Sequence, residues 1–189
     1  MPTCLHHRLL TVDEFRRMGE VGILTEDDRV ELIHGELIQM SPMGSRHAAI
    51  CNHLMRLLAR RLDDTRFLVG EQTPVVLGPH HEPEPDIHVA RFAPHRYVTN
   101  LPQANDLLLV IEVADSSADY DRSVKLPLYA TAGIPETWII DVERKRVELH
   151  RRPGSDGYGE MQVLRSTDRV LVPSTDTSIS GSDITDMLV

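Results

Sequence analysis

The run Asp106-Leu-Leu-Leu-Val-Ile-Glu-Val-Ala114, followed by Asp121-Arg-Ser-Val-Lys-Leu-Pro-Leu-Tyr129 and then by Thr137-Trp-Ile-Ile-Asp141, decides the fold. Leu107 to Ile111 is apolar without a break and lacks the in/out alternation of a half-wet strand. It reads as a strand buried on both faces, in the middle of an α/β sheet. Glu112 prolongs that strand. An ionised carboxylate there costs several kcal/mol unless a cation or a full set of donors answers it. The strand, helix, strand order with short connections predicts a parallel crossover. On its helix, Asp121, Lys125 and Tyr129 are four residues apart and share a stripe that carries Lys125 toward Glu112. Pro127 predicts a kink or a loose first turn in that helix.

Upstream, Thr11 and Glu14 have capping-box spacing for a short helix with Phe15 and Met18 on its apolar side, ended by Gly19. Arg29 to Met40 holds two apolar runs around His34-Gly35 and reads as a hairpin or bulged strand. Ser45 is positioned to cap the next helix. In that helix Ile50, Leu54, Leu57, Leu58 and Leu62 recur at helical spacing, opposite Arg56, Arg60 and Arg61. Phe67 to Gly70 and Pro74 to Gly78 are short strand candidates. Pro79-His-His-Glu-Pro-Glu-Pro85 reads as a mobile polar loop, because its prolines lack ladder donors. Asp86 opens the strand Ile87-His-Val-Ala90, and residues 90–105 read as an irregular excursion. Downstream, Arg146 to Arg151 alternates, Pro153 to Gly157 is a turn, and Tyr158 to Leu164 returns, an antiparallel extension at the sheet edge. Ser174 to Ser182 reads as a connection, and Asp183 to Val189 as a last helical turn.

The 189 residues suit one domain, with a core over about 10–158 and a C-terminal extension over 159–189. No apolar run approaches the roughly 18–20 residues that cross a bilayer, and the first residues lack a signal-type apolar segment, so a cytoplasmic protein is expected. Cys4 and Cys51 form neither a metal spacing nor a disulfide framework, and Cys51 reads as a small buried apolar residue. The net charge of -9 argues against a general nucleic-acid coat protein. A local cleft with bound cations is compatible with such an exterior. No phosphate-binding glycine loop or nucleophile elbow is present, so no nucleotide cofactor is expected.

Asp86 and Glu112 on adjacent strands, with Lys125 on the helix that follows, make a hard-oxygen site suited to Mg²⁺ or Mn²⁺. Such an ion neutralises phosphodiester charge and acidifies water, and a nearby lysine orients that water or offsets developing charge. These are the requirements for hydrolysing DNA.

Val30-Glu-Leu-Ile-His-Gly-Glu-Leu-Ile38, Pro85-Asp-Ile-His-Val89, Val110-Ile-Glu-Val113, Asp121 to Tyr129 and Ala132-Gly-Ile-Pro-Glu-Thr-Trp-Ile-Ile-Asp141 together resemble the Uma-two family of restriction endonucleases, of the PD-(D/E)XK nuclease superfamily. The likeness runs in order from about Leu10 to Tyr158. It implies a restriction-endonuclease-like α/β core, a central mixed sheet flanked by helices with added antiparallel edge strands, and a metal-dependent endodeoxyribonuclease. By the same resemblance Asp86 is the motif aspartate, Glu112 the acidic residue of the next strand, and the Val113 backbone carbonyl a further metal ligand. Where the superfamily carries a lysine two residues after the glutamate this chain has Ala114, and the family's displaced lysine matches Lys125. Glu31, His47 and Tyr129 match accessory positions.

Arg46, Arg56 and Arg122 are candidates for holding a DNA backbone, and paired single-site subunits, a homodimer, suit cutting two strands. Two alternatives stand beside this reading. One is a catalytically silent member of the fold, acting as a dimeric interaction or structural module. The other is a small-molecule hydrolase using zinc on His80, His81, Glu82, Glu84 and His88, which requires His80 or His81 to face Glu112.

Overall fold

The computed structural model describes residues 7–25, 27–95, 97–115 and 117–188; Cys4, His6 and Val189, named above, lie outside them. The first helix, α1 (Val12–Glu20), has the expected capping box between Thr11 and Glu14. It runs past Gly19, and the chain reverses at Gly22, whose φ of 77° is open to glycine. Strands β1 (Val30–Ile33) and β2 (Glu36–Gln39) form the expected hairpin. Its two turn residues, His34 and Gly35, both take positive φ, as a two-residue turn between twisted strands requires.

Helix α2 (Ser45–Arg61) starts one residue earlier than its sequence signal. Gly44 is the N-cap and offers no side chain, so Ser45 lies inside the first turn rather than capping it. Ile50, Cys51, Leu54 and Leu58 form its buried face, as the spacing predicts. Then follow β3 (Phe67–Glu71), β4 (Ile87–Arg91) and β5 (Leu107–Ala114), the last buried along its whole length. The strand candidate 74–78 makes only isolated bridges, with Pro74 and Pro79 at its ends; the Val76 N–H goes to the Pro102 carbonyl instead.

After β5 the helical segment begins as α3 (Ala118–Tyr120), passes through a π turn (Asp121–Lys125) and continues as α4 (Leu126–Thr131). The expected loosening thus falls just before Pro127, which occupies the first turn of α4, where a missing N–H is tolerated. β6 (Glu136–Asp141) lies parallel to β5, completing the crossover. β7 (Arg146–Gly154) and β8 (Gly157–Leu164) add the antiparallel edge hairpin. The segment read as a plain connection contains β10 (Ser178–Ser180), which pairs with β9 (Arg169–Leu171). It does so because Val170 and Ile179 bury against the main core. A short α5 (Ser182–Thr185) follows.

The main sheet has the order β3-β4-β5-β6-β7-β8, antiparallel except between β5 and β6. Ile50, Leu54 and Leu58 of α2 join Ile87, Val89, Ile111 and Trp138 in the larger core. Each such leucine contributes about 1.5–3 kcal/mol by burial. Tyr129 and Ile134 pack with Ala90 and Val110 in a second cluster. Because Ile87 stands opposite Ile111, one step further along each strand brings Asp86 beside Glu112 at the same end of the sheet.

The β1–β2 hairpin matters because it carries Glu31. At Gly35 a Cβ would stand 2.5 Å from the Leu9 Cβ, on a backbone whose φ is +74°. Gly35→Ala is therefore expected to cost about 1–3 kcal/mol of stability, measured by urea unfolding. A change within a few tenths of a kcal/mol would show that the turn is not held this tightly.

Candidate active site

Asp86 sits at the entrance to β4, and its carboxylate is held from two directions. One oxygen accepts the Val113 N–H at 2.8 Å, and the other lies 2.8 Å from His47 Nε2, from α2. Glu112, on β5, is 3% exposed. Its Oε1 accepts the Tyr129 hydroxyl at 2.5 Å and lies 3.3 Å from Lys125 Nζ. Its Oε2 lies 3.4 Å from the Asp86 backbone N–H. The Lys125 ammonium, itself only 6% exposed, also lies 3.1 Å from Glu31 Oε2. The structure thus brings Asp86, Glu112 and Lys125 together, with Glu31, His47 and Tyr129 around them. Lys125 is not on a solvated face. The π turn and α4 bring Lys125 and Tyr129 down onto β5.

These groups share a cavity of about 360 Å³ at the end of β5 and the start of β4. Its walls include six carboxylates, Glu31, Glu84, Asp86, Glu112, Asp115 and Asp121, against Arg29, His47 and Lys125. Burial raises the pKa of Glu112 to about 8, from an ordinary 4.5; Lys125 opposes this, while Asp86 and Asp121 add to it. For Lys125, burial alone would lower the pKa, but Glu112, Glu31 and Asp121 outweigh it and keep the amine protonated. His47 is raised first by its hydrogen bond to Asp86. Asp121 is raised by burial, against the Ser117 hydroxyl that donates to it at 2.6 Å. A pocket with more buried carboxylate than cation suits a divalent metal, and the all-oxygen pair Asp86 and Glu112 fits a hard ion.

Stability should depend on pH accordingly. Between about 4.5 and about 8 the folded protein retains a proton at Glu112 that the unfolded chain has released. Stability therefore falls as pH rises through that window, since folding is favoured where the folded state holds more protons. Thermal melts of metal-free protein should show this decline, and the Glu112→Gln protein should lack that component. An unchanged slope in the variant would assign the decline to other groups.

Several lining groups were not singled out from the sequence: Arg29, Asp115, Ser117 and Tyr120. Glu84, named from the sequence only as a zinc candidate of the histidine tract, lines the pocket, and its N–H donates to Glu31 Oε2 at 3.3 Å. The tract itself is not a mobile loop. Leu32 and Glu82 exchange both backbone hydrogen bonds, the Gly35 N–H reaches the His80 carbonyl, and His81 Nδ1 accepts the His34 N–H at 3.0 Å. His80 Nδ1 lies 2.7 Å from the Leu10 carbonyl, Glu82 pairs with Arg16, and His88 is fully buried in the sheet. Neither His80 nor His81 lines the pocket of Glu112, which removes the geometric requirement of the histidine-tract hydrolase.

Arg122, a candidate for holding DNA, is locked away. Its guanidinium meets Asp141 at 2.5 Å and Glu148 at 3.1 Å, while Asp141 caps the following turn by accepting the Arg144 N–H. Arg46 and Arg56 are exposed on α2 and line no part of the cavity.

A mixed six-stranded sheet with an acidic pocket at the end of its central strands is a nuclease-like α/β architecture. The crystal structure of "a putative nuclease belonging to DUF820" from Anabaena variabilis ATCC 29413 shares that fold with a TM-score of 0.71 at 21% identity, covering 95% of this chain and 99% of that one. The chain belongs to the Uma2 family, described as "Putative restriction endonuclease", whose model matches residues 12–180. No curated protein matches it. Among the described residues no helix is long and apolar enough to cross a membrane.

Proposed function

We propose that this protein is a Mg²⁺- or Mn²⁺-dependent endodeoxyribonuclease of PD-(D/E)XK type, with Asp86, Glu112 and Lys125 as its catalytic residues. The observation that carries the reading is the meeting of these three side chains in one acidic pocket. When bound, a divalent cation supplies Lewis-acid chemistry, neutralising phosphodiester charge and acidifying water. Asp86 and Glu112 would hold it. The Val113 carbonyl would be the third ligand: an extended residue sends its N–H and C=O to the same edge, and the Val113 N–H already reaches Asp86.

Lys125 places its ammonium beside Glu112, where it orients the attacking water and offsets charge growing on the phosphate oxygens. Glu31 holds that ammonium from the other side, and Tyr129 fixes the Glu112 rotamer from below. His47 orients Asp86. Arg29, at the cavity wall, is the cation best situated to meet a DNA phosphate. The whole chain, 1–189, works as one unit in the cytoplasm, and two copies acting as a homodimer would cut both strands.

Plasmid cleavage tests this. Wild type should nick supercoiled DNA with Mg²⁺ or Mn²⁺ and stop with EDTA, and Asp86→Asn should be inert. Nicking that survives Asp86→Asn would place the activity elsewhere. A silent interaction module is the competing reading, favoured by the net charge of -9 and by the ion pairs that occupy Lys125. Mn²⁺ binding in the pocket without cleavage of any DNA would select it.

A further inference from the structure

His47 and Cys51 stand one helical turn apart on the buried side of α2, and Asp86 faces them from the start of β4. A His47 ring nitrogen, the Cys51 sulfur and an Asp86 oxygen all lie within 4.8 Å of one another. Cys51 is a free thiol, 1% exposed, and the hydrolytic mechanism makes no use of it. We propose that His47, Cys51 and Asp86 form a zinc site, distinct in ligand chemistry from the hard-ion site, through which Zn²⁺ inhibits the protein. Nitrogen, thiolate and carboxylate are the donor types zinc takes, and tetrahedral bonds of its usual lengths need ligand separations of about 3.5 Å. Separations of up to 4.8 Å therefore close by about 1.3 Å at most, while His47 and Asp86, 2.8 Å apart, open by about 0.7 Å to admit the ion. His47 and Asp86 line the cavity, which provides the route in. Mg²⁺, which demands oxygen ligands, gains nothing from a thiolate.

Binding is an exchange of protons for metal. The Cys51 sulfur releases its proton, the proton between His47 and Asp86 leaves to solvent from an imidazolium or passes to Nδ1 in a neutral ring, and no electron changes hands. Asp86 is then committed to zinc and is lost to the Glu112 side. That inhibitory consequence rests on the hydrolytic reading of the pocket; the binding does not.

The experiment is a titration of metal-free full-length protein with Co²⁺, followed in the near ultraviolet for thiolate-to-cobalt charge transfer, with Zn²⁺ then displacing the cobalt. The band should appear in wild type and in Cys4→Ser, and vanish in Cys51→Ser and Cys51→Ala. Both Cys51 variants should bind Zn²⁺ on the order of a hundredfold more weakly. Their Mn²⁺ binding and Mg²⁺-dependent cleavage should be unchanged, and cleavage should no longer be blocked by Zn²⁺ concentrations that stop wild type. Two Cys51 variants and a thermal melt separate ligand loss from misfolding. No charge-transfer band in wild type, or the same Zn²⁺ affinity in folded Cys51→Ala, would overturn the site. A band that depends on Cys51, in a protein that cleaves nothing with any metal, would keep the zinc site and reject the hydrolytic reading instead.

Discussion

Glu112→Gln should fold normally, lose metal-dependent cleavage by on the order of a thousandfold or more, and lose the stabilisation that Mn²⁺ gives the wild type. The expected size follows from the several kcal/mol that a positioned cation contributes to a transition state, at about 1.4 kcal/mol for each factor of ten. Folding should survive because glutamine keeps an acceptor oxygen for the Tyr129 hydroxyl, and Lys125 keeps Glu31 at 3.1 Å. Burial holds the Glu112 pKa at about 8, so near neutral pH the side chain keeps its proton most of the time and glutamine removes little charge. Near neutral pH, metal-free stability should therefore stay within about 1 kcal/mol of wild type, because one largely neutral, hydrogen-bonding side chain replaces another of nearly the same shape. Paired measurements, cleavage rate and melting temperature with and without Mn²⁺, separate the outcomes. A variant that is inactive because it has unfolded would count for nothing; one that is folded, inactive and deaf to Mn²⁺ is the expected result.

Lys125→Met should behave in the opposite way. Its ammonium is the cation that Glu31 and Glu112 share, and all three side chains are nearly inaccessible. Removing it leaves the buried Glu31 carboxylate without its cation and takes the neighbouring positive charge from Glu112, which costs about 3–5 kcal/mol. That is a large part of the roughly 5–15 kcal/mol typical of a domain. At about 2–4 °C per kcal/mol for a chain of this size, the melting temperature should fall by about 10 °C. Adding Glu31→Gln to Lys125→Met should recover part of the loss, because neighbours that share a network are not additive. Urea unfolding of the two single variants and the double variant measures this. A loss under about 1 kcal/mol, with no coupling to Glu31, would mean that the lysine is effectively solvated.

The fold was legible where one physical signal dominated. The unbroken apolar run before Glu112 reads as an interior strand, and the helical spacing through Ile50, Leu54 and Leu58 as a buried face, and both formed. Helix starts were read well where a side chain does the capping, as at Thr11, and missed where backbone does it, as at Gly44. The β9–β10 ribbon escaped notice because each strand buries a single residue, Val170 or Ile179, too few to set a period. The histidine tract looked mobile because its prolines exclude ladder pairing. Its anchoring comes from hydrogen bonds to the β1–β2 turn, about 47 residues away in sequence for the His34 and His81 pair.

The site was legible in part for the same reason. Asp86, Glu112 and Lys125 stood out because carboxylates beside buried strands and a lysine on a packed helix each require explanation. Arg29, Glu84 and Asp115 carry no such local signal; they reach the cavity through loops whose paths the sequence does not encode by any period. Arg122 was misread because an arginine's partners are tertiary. Asp141 and Glu148 come from two strands that only the folded sheet sets side by side.

Anomalous diffraction from crystals grown with Mn²⁺ tests the central claim most directly. A peak bounded by the Asp86 and Glu112 carboxylates and the Val113 carbonyl, with Lys125 beside it, is the predicted result. A pocket without manganese at saturating concentration, or an ion placed away from Glu112, would contradict it.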